Sequence, residues 1–307
     1  MTPIQRYLAE EVALDHVDGL IPRREALRRL ALLGLGLPAA TALLTACGAP
    51  PESAAPQSPS APTSLQGGTP SPSGSPAGPS PLPTEAITFA GPEGTTLQAA
   101  WAAAEEPKGG VLVIHENRGL TDHVRSVAGR LAASGYSALA LDLLSREGGT
   151  ATFTDSAQAT AKLGEIDDAR FVADMKAAVG ELARRADGLK LGMMGFCFGG
   201  GMTWLLLSSA EPRLSAAVPF YGPLPENADM AGTKAAVLGV YAEQDDRVNA
   251  TRDAAEAALT EAKLTHELVT FPGVGHAFFN DTGQRYNADA AAQAYERVLD
   301  WFGRHLA

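Results

Sequence analysis

The sequence predicts an α/β domain over residues 85–307, with a mostly parallel central sheet and helices on both faces. Two observations predict it. Short apolar, β-rich segments alternate with segments of helical periodicity, a pattern that builds parallel strands joined by crossover helices. The residues best equipped for chemistry also fall just past the ends of different strands, where such sheets gather their functional groups. The stretch is long enough for one well-buried domain and too short for two typical ones.

The elements follow in order. Residues 87–89 and 96–103 are an opening antiparallel pair around the turn Gly91-Pro92-Glu93-Gly94. Residues 111–114 are a continuous apolar run, as a buried parallel strand requires. A helix then presents Val124, Val127, Leu131 and Ala132 on one face and stops at Gly135. Residues 137–141 are a strand, and 157–186 are helical with a break near Gly164. Strand 189–194, helix 199–209, strands 214–220 and 235–241, helix 250–263 and strand 267–271 come next. An amphipathic helix over 288–305 closes the domain. Residues 143–165, with Gly148-Gly149, are the candidate lid.

Two further segments precede this domain. Residues 1–47 read as an export signal. Arg23-Arg24 is followed by an apolar run from Leu30 to Ala46, interrupted by Pro38 and shorter than the ~20 residues of a spanning helix. The paired arginines resemble a twin-arginine signal. The ending Leu44-Thr45-Ala46-Cys47 resembles a bacterial lipobox, with Cys47 as the lipidation site. An uncleaved anchor helix is the alternative. Residues 48–84 hold 11 of the 21 prolines, with Glu52 as their one charge, and read as a disordered Pro/Ser/Gly linker.

Charge narrows the function. The net charge is −11, and residues 1–46 carry five charges of each sign, so the whole excess falls on the remainder. An acidic domain without a basic stripe argues against nucleic acid and against docking on an anionic membrane except through an N-terminal lipid or signal anchor. Two cysteines, Cys47 and Cys197, exclude a disulfide scaffold and a multi-thiolate zinc site.

Gly195-Phe196-Cys197-Phe198-Gly199 lies between a strand and a helix, the nucleophile-elbow pattern with cysteine as nucleophile. The helix N-terminus favours a thiolate there, and the Phe198 N–H is a candidate oxyanion donor. Asp245 and His276 follow two later strands. Cysteine, acid and histidine in that order match the order of a hydrolase triad. Glu116 closes the first central strand in His115-Glu116-Asn117-Arg118-Gly119. It is placed to hold or shuttle the Cys197 proton, with the Asn117 N–H as second oxyanion donor. Each residue has a plainer alternative: a buried cysteine in a glycine-rich turn, a solvated Asp245 with Asp246 as rival, a turn histidine, and Glu116 paired with Arg118. His115-Glu116 lacks the second histidine of a zinc motif, so no metal or other cofactor is expected. His16, His123, His266 and His305 are expected on the surface.

Four motifs in order resemble the dienelactone hydrolase family (carboxymethylenebutenolidases), of the α/β-hydrolase fold: His115–Leu120, Gly195–Gly200, Asp245-Asp246-Arg247-Val248 and Gly275–Asn280. The resemblance covers essentially all of 85–307. It implies a triad of Cys197, Asp245 and His276, with Glu116 interacting with the resting cysteine until substrate displaces it. The spacing to Val248 selects Asp245 over Asp246. One position departs: the family's arginine four residues after the histidine is Asn280 here, which weakens two-point recognition of a substrate carboxylate. The expected function is therefore an exported hydrolase that cleaves ester or lactone bonds of a small molecule through a thioacyl-enzyme. A tethered, non-catalytic binding domain is the alternative, and a cysteine peptidase is disfavoured because the chain order is wrong for papain-like enzymes.

Overall fold

The computed structural model describes residues 1–46 and 75–307. Cys47 and residues 48–74 of the expected linker lie outside the described residues. The chain divides into two compact units, which meet near residue 72 in sequence.

In the first unit, helices α1 (Pro3–Val17), α2 (Arg23–Leu32) and α3 (Leu37–Ala46) pack on one another. Thr2 and Gln5 form a reciprocal capping box at the start of α1. The apolar run from residue 30 to 46 is split before Pro38 rather than at it. Gly34 adopts φ +85°, which ends α2, and Pro38 falls in the first turn of α3, where its missing N–H costs nothing. Ten residues of helix span only ~15 Å. No described helix is long and apolar enough to cross a membrane.

The second unit is built on one eight-stranded sheet in the order β1-β2-β4-β3-β5-β6-β7-β8. The strands are β1 (Glu85–Ala90), β2 (Thr96–Ala102), β3 (Gly109–Ile114), β4 (Tyr136–Asp142), β5 (Leu191–Phe196), β6 (Leu214–Phe220), β7 (Ala236–Gln244) and β8 (His266–Gly275). β1 and β2 pair antiparallel and β2 joins β4 antiparallel; every other pairing is parallel. This is the α/β-hydrolase arrangement. β3, β4 and β5 are buried along their whole length, which is why they run apolar rather than alternating, except for Ser137 and Asp142 of β4, which are both hydrogen-bonded. The crossovers are α4 (Asp122–Ala133), α5 (Ser156–Glu165), α6 (Asp168–Arg185), α7 (Phe198–Ser208), the single turn α8 (Asp246–Asn249) and α9 (Arg252–Glu261); α10 (Ala288–His305) follows the last strand and closes the unit.

Three regions differ from expectation. β8 continues four residues past 271, through Pro272 and Gly273. It is an edge strand, where proline is tolerated, and Gly273 at φ +69° with a register shift opposite Ala242/Gln244 absorbs the irregularity. Residues 143–165 are a packed wall: Leu143, Leu144, Ala159 and Leu163 are buried, and α5 lies within the segment. Residues 75–84, expected to belong to the linker, are fastened to the second unit. Leu82 N–H donates to the Gly129 carbonyl at 3.1 Å, Arg130 donates to the Ala77 carbonyl at 2.9 Å, and Ala77 is buried. Proline-rich composition signals the lack of regular structure but not these individual anchor points.

Glycines decide how closely α7 approaches the sheet. A Cβ at Gly199 would stand 2.4 Å from the Ile114 carbonyl oxygen and 2.5 Å from that of His115, and one at Gly200 would stand 2.3 Å from the Phe220 carbonyl oxygen. These are backbone atoms of neighbouring strands and cannot step aside. Gly199→Ala is expected to cost about 3 kcal/mol or more in chemical denaturation, as overpacking does. Gly273→Ala, with nothing within 4 Å of the added carbon, is expected to cost only the left-handed backbone penalty of about 1 kcal/mol.

Candidate active site

Cys197 sits between β5 and α7 with φ +57° and ψ −119°, a region non-glycine residues rarely enter. Its N–H donates to the Phe220 carbonyl at 3.0 Å, and its carbonyl accepts from Gly201 at 3.1 Å. The side chain is almost fully buried. Phe198 is the first residue of α7, so its N–H has no intrahelical acceptor and faces out of the helix start.

His276 follows β8, and Asp245 caps the turn after β7. His276 Nδ1–H donates to Asp245 Oδ2 at 2.6 Å, and both residues are buried. Asp245 Oδ1 accepts from the Val248 N–H at 3.4 Å, which fixes its carboxylate, while Asp246 is exposed. A ring nitrogen of His276 lies within 4.8 Å of Cys197 Sγ, so the thiol and the imidazole interact directly. Burial works against the imidazolium, but the charges of Asp245 and Cys197 outweigh it and raise His276 from the usual 6.5 to about 9. The sheet thus brings Cys197, Asp245 and His276 together from the ends of three strands.

Glu116 reaches the same place from the end of β3. It is buried, and its Oε2 accepts from Asn280 Nδ2 at 2.5 Å. Its Oε1 is buried without a hydrogen-bond partner among the described residues. Arg118 is exposed, so the Glu116–Arg118 pairing does not form. The Asn280 amide is oriented by its other end, since Oδ1 accepts from the Thr282 N–H at 3.0 Å and from its hydroxyl at 2.7 Å.

The loop carrying Glu116 and Asn117 is held from behind. Thr160 donates to the Asn117 carbonyl at 2.8 Å, and Thr150 Oγ1 accepts from the Leu120 N–H at 2.8 Å. Asp142 in turn accepts from the Thr150 N–H and hydroxyl, at 2.7 and 2.8 Å. His115 donates from Nδ1 to the Glu116 carbonyl at 2.6 Å and accepts the Leu143 N–H on Nε2 at 3.1 Å. Burial lowers its pKa, so it is a neutral tether between β3 and β4.

Two features were not foreseen. His123 is not on the surface: it is buried, and its Nδ1 lies 2.6 Å from Asp281 Oδ1, while Arg130 donates to Asp281 Oδ2 at 3.1 Å. This cluster pins the segment after His276 to α4. An alternating helical pattern places His123 near a helix start but does not report a partner 158 positions away. Of the other three, His16 bonds to the Ile21 carbonyl and His266 to Glu256, and the His305 ring lies tilted against Trp301 at 4.5 Å. Tyr221 was also passed over. It is the first residue past β6, the same placement that singled out Asp245, and its ring meets His276 at 5.1 Å.

The geometry has its counterpart in known proteins. Residues 97–306 match the dienelactone hydrolase family. The chain belongs to that family. A candidate carboxymethylenebutenolidase of Methylorubrum extorquens is 36% identical over 209 residues, covering 64% of this chain and 72% of the relative. One from Salmonella typhi is 31% identical over 235 residues, covering 71% and 87%. The crystal structure of a candidate dienelactone hydrolase from Klebsiella pneumoniae superposes with a TM-score of 0.64 at 31% identity, covering 73% of this chain and all of that one. A dienelactone hydrolase-like promiscuous phosphotriesterase from metagenomic libraries gives 0.65 at 26% identity, covering 73% and 99%. This dienelactone hydrolase relative is accordingly a hydrolase of the ester- and lactone-cleaving type.

Two outcomes test the electrostatics. The His276 ring is expected to titrate near pH 9 by NMR, and to move down in Cys197→Ala and in Asp245→Asn. Because folding raises this pKa, its stabilisation is complete below about 6.5 and is lost as pH rises through about 9. Asp281→Ala, which strips the buried Arg130 of its carboxylate, is expected to cost about 3 kcal/mol in thermal or chemical unfolding.

Proposed function

We propose that the protein hydrolyses esters or lactones through a thioacyl-enzyme on Cys197. The observation that carries this reading is the buried line Asp245–His276–Cys197, with its 2.6 Å hydrogen bond at one end and the thiol at the other. Cys197 Sγ attacks the carbonyl carbon, and the electron pair moves to the carbonyl oxygen. That oxygen accepts from the Phe198 N–H and the Asn117 N–H, the proposed oxyanion donors. Collapse expels the alkoxide, which takes the proton of the His276 imidazolium. Neutral His276 then draws a proton from water as the water oxygen attacks the thioester. The second collapse releases the acid and restores the thiolate beside imidazolium. Asp245 holds the ring tautomer throughout. Glu116 is the group that takes the Cys197 proton before attack and hands it back to the sulfur once the acid has left, which restores its carboxylate and the thiol together.

Asn280 tunes the substrate. Its amide is occupied by Glu116, so no guanidinium stands at this position to fork a substrate carboxylate, and uncharged esters and lactones fit better. The same reading makes the protein an export product. Arg23-Arg24, the apolar segment and Cys47 support a lipid attachment outside the cytoplasmic membrane, with the proline-rich sequence between Cys47 and the anchored residues 75–84 as tether.

The full-length protein, kept reduced, is expected to turn over activated esters and simple lactones. Cys197→Ala is expected to lose about 10⁴-fold or more in kcat with an unchanged melting temperature. Wild-type protein that is folded, has a titratable thiol and yet shows no turnover would favour the binding-domain reading. Asn280→Arg is expected to shift kcat/KM toward carboxylate-bearing lactones by about tenfold. Cys47→Ala is expected to move the protein from the detergent-requiring to the soluble fraction.

A further inference from the structure

Tyr221 combines backbone strain with an unused hydroxyl. Its φ is +34°, a conformation that bulky residues rarely adopt. The surroundings enforce it. The Tyr221 N–H donates to the Val240 carbonyl at 2.7 Å, and the ring is walled by Phe196, Phe220 and Phe278 at centroid distances of 6.3, 5.8 and 5.6 Å. Gly222 lies so close to Gly200 that a Cβ there would stand 2.2 Å from its carbonyl carbon, so the segment cannot relax toward α7. The ring is thereby held edge-on to His276 at 5.1 Å. The preceding residue, Phe220, accepts the N–H of Cys197 itself.

The hydroxyl is buried; the Phe279 N–H faces its oxygen without a hydrogen bond of ordinary geometry, and its own proton has no acceptor among the described residues. Native structures satisfy almost all buried hydroxyls, because an idle one forfeits its water without compensation. A phenylalanine would fill this aromatic wall without that penalty. Burial, then the Glu116 and Cys197 charges, push the phenol well above its usual 10, so it stays a neutral donor. An enforced backbone outlier that sets a buried hydroxyl within reach of the Glu116, Cys197 and Asp245 charges, on a ring against the triad histidine, points to function rather than packing.

We propose that Tyr221 is a catalytic residue whose hydroxyl donates a hydrogen bond to the oxygen exchanged at the scissile carbon. In acylation this is the leaving alkoxide oxygen; in deacylation it is the incoming water. The two steps are mirror images, so both oxygens occupy one place beside His276. His276 delivers or removes the proton there. Tyr221 keeps its own proton, and no bond to it forms or breaks. This role is separate from the two backbone donors, which serve the carbonyl oxygen. The assignment rests on the hydrolytic reading above.

The test compares the full-length wild type with Tyr221→Phe on acetate esters whose leaving groups run from nitrophenol to simple alkyl alcohols. A donor to the leaving oxygen matters most when that oxygen carries the most charge. The variant is expected to lose about threefold or less in kcat/KM on nitrophenyl esters and about 30- to 100-fold on alkyl esters. The plot of log kcat/KM against leaving-group pKa then steepens. Its melting temperature is expected to be unchanged or higher, since an unsatisfied buried hydroxyl has gone. Wild-type turnover with an unchanged slope in the variant, whatever its absolute rate, would overturn the role of Tyr221 alone. Absence of wild-type turnover on the whole series would strike the hydrolytic reading itself, and the role of Tyr221 with it.

Discussion

The close approach of α7 to the ends of β3, β5 and β6 is the constraint on which the rest of the site depends. Three glycines make it possible. A Cβ at Gly195 would lie 2.2 Å from the Gly199 carbonyl oxygen, and those at Gly199 and Gly200 would strike the neighbouring strands. With helix and strand this close, the single residue joining them has to turn sharply, and Cys197 takes φ +57° as a result. The strain has a chemical return. The sulfur is lifted to the carboxyl edge of the sheet, and the free N–H groups of the helix start surround it. Loosening the helix by one methyl group would move the thiol and its donor together, because they are consecutive residues.

Around that fixed point the molecule assembles charges that would be costly alone. Asp245, His276, Glu116 and Cys197 are all buried, and burying a charge without partners is unfavourable by several kcal/mol. The sheet compensates by bringing each group a specific partner: Val248 N–H and His276 for Asp245, and Asn280 for Glu116. A second layer holds these partners. Asp281 locks the segment after His276 to His123 and Arg130, and Asp142 locks the segment after Glu116 through Thr150. His276 differs from the others in being poised between two anions, which is why its proton is retained to about pH 9 despite burial.

What could be read in the sequence is what repeats or what turns. The parallel strands were legible because full burial makes them continuously apolar, and β6 and α10 lie where their patterns put them. Cys197, Asp245, His276 and Glu116 were legible because each follows a strand end in a short motif. The Asp142–Thr150–Leu120 relay, the His123–Asp281–Arg130 cluster and the anchoring of residues 75–84 were not. Their members are far apart in sequence, sit in no motif, and acquire meaning only when the chain folds back. Tyr221 is intermediate. Its position past β6 was visible, but a tyrosine in an aromatic run looks like core until its hydroxyl proton is found without an acceptor among the described residues.

Asn280 sets a neutral amide, rather than a cation, against the Glu116 carboxylate. Its Oδ1 is committed to Thr282, so the amide nitrogen has to face Glu116, and the carboxylate gains one neutral hydrogen bond in place of an ion pair. A charge-assisted pair with arginine would be stronger and would leave spare N–H groups for a substrate anion. The amide offers one short bond to Glu116, while Oε1 has no hydrogen-bond partner among the described residues. The anionic character of Glu116 is therefore less neutralised here, and a second carboxylate arriving with the substrate would meet repulsion instead of a clamp. The chemistry at Cys197 is untouched by this exchange, since Asp245 and His276 come from other strands. On the proposed reading, reaction type and substrate charge are set by separate residues of one site.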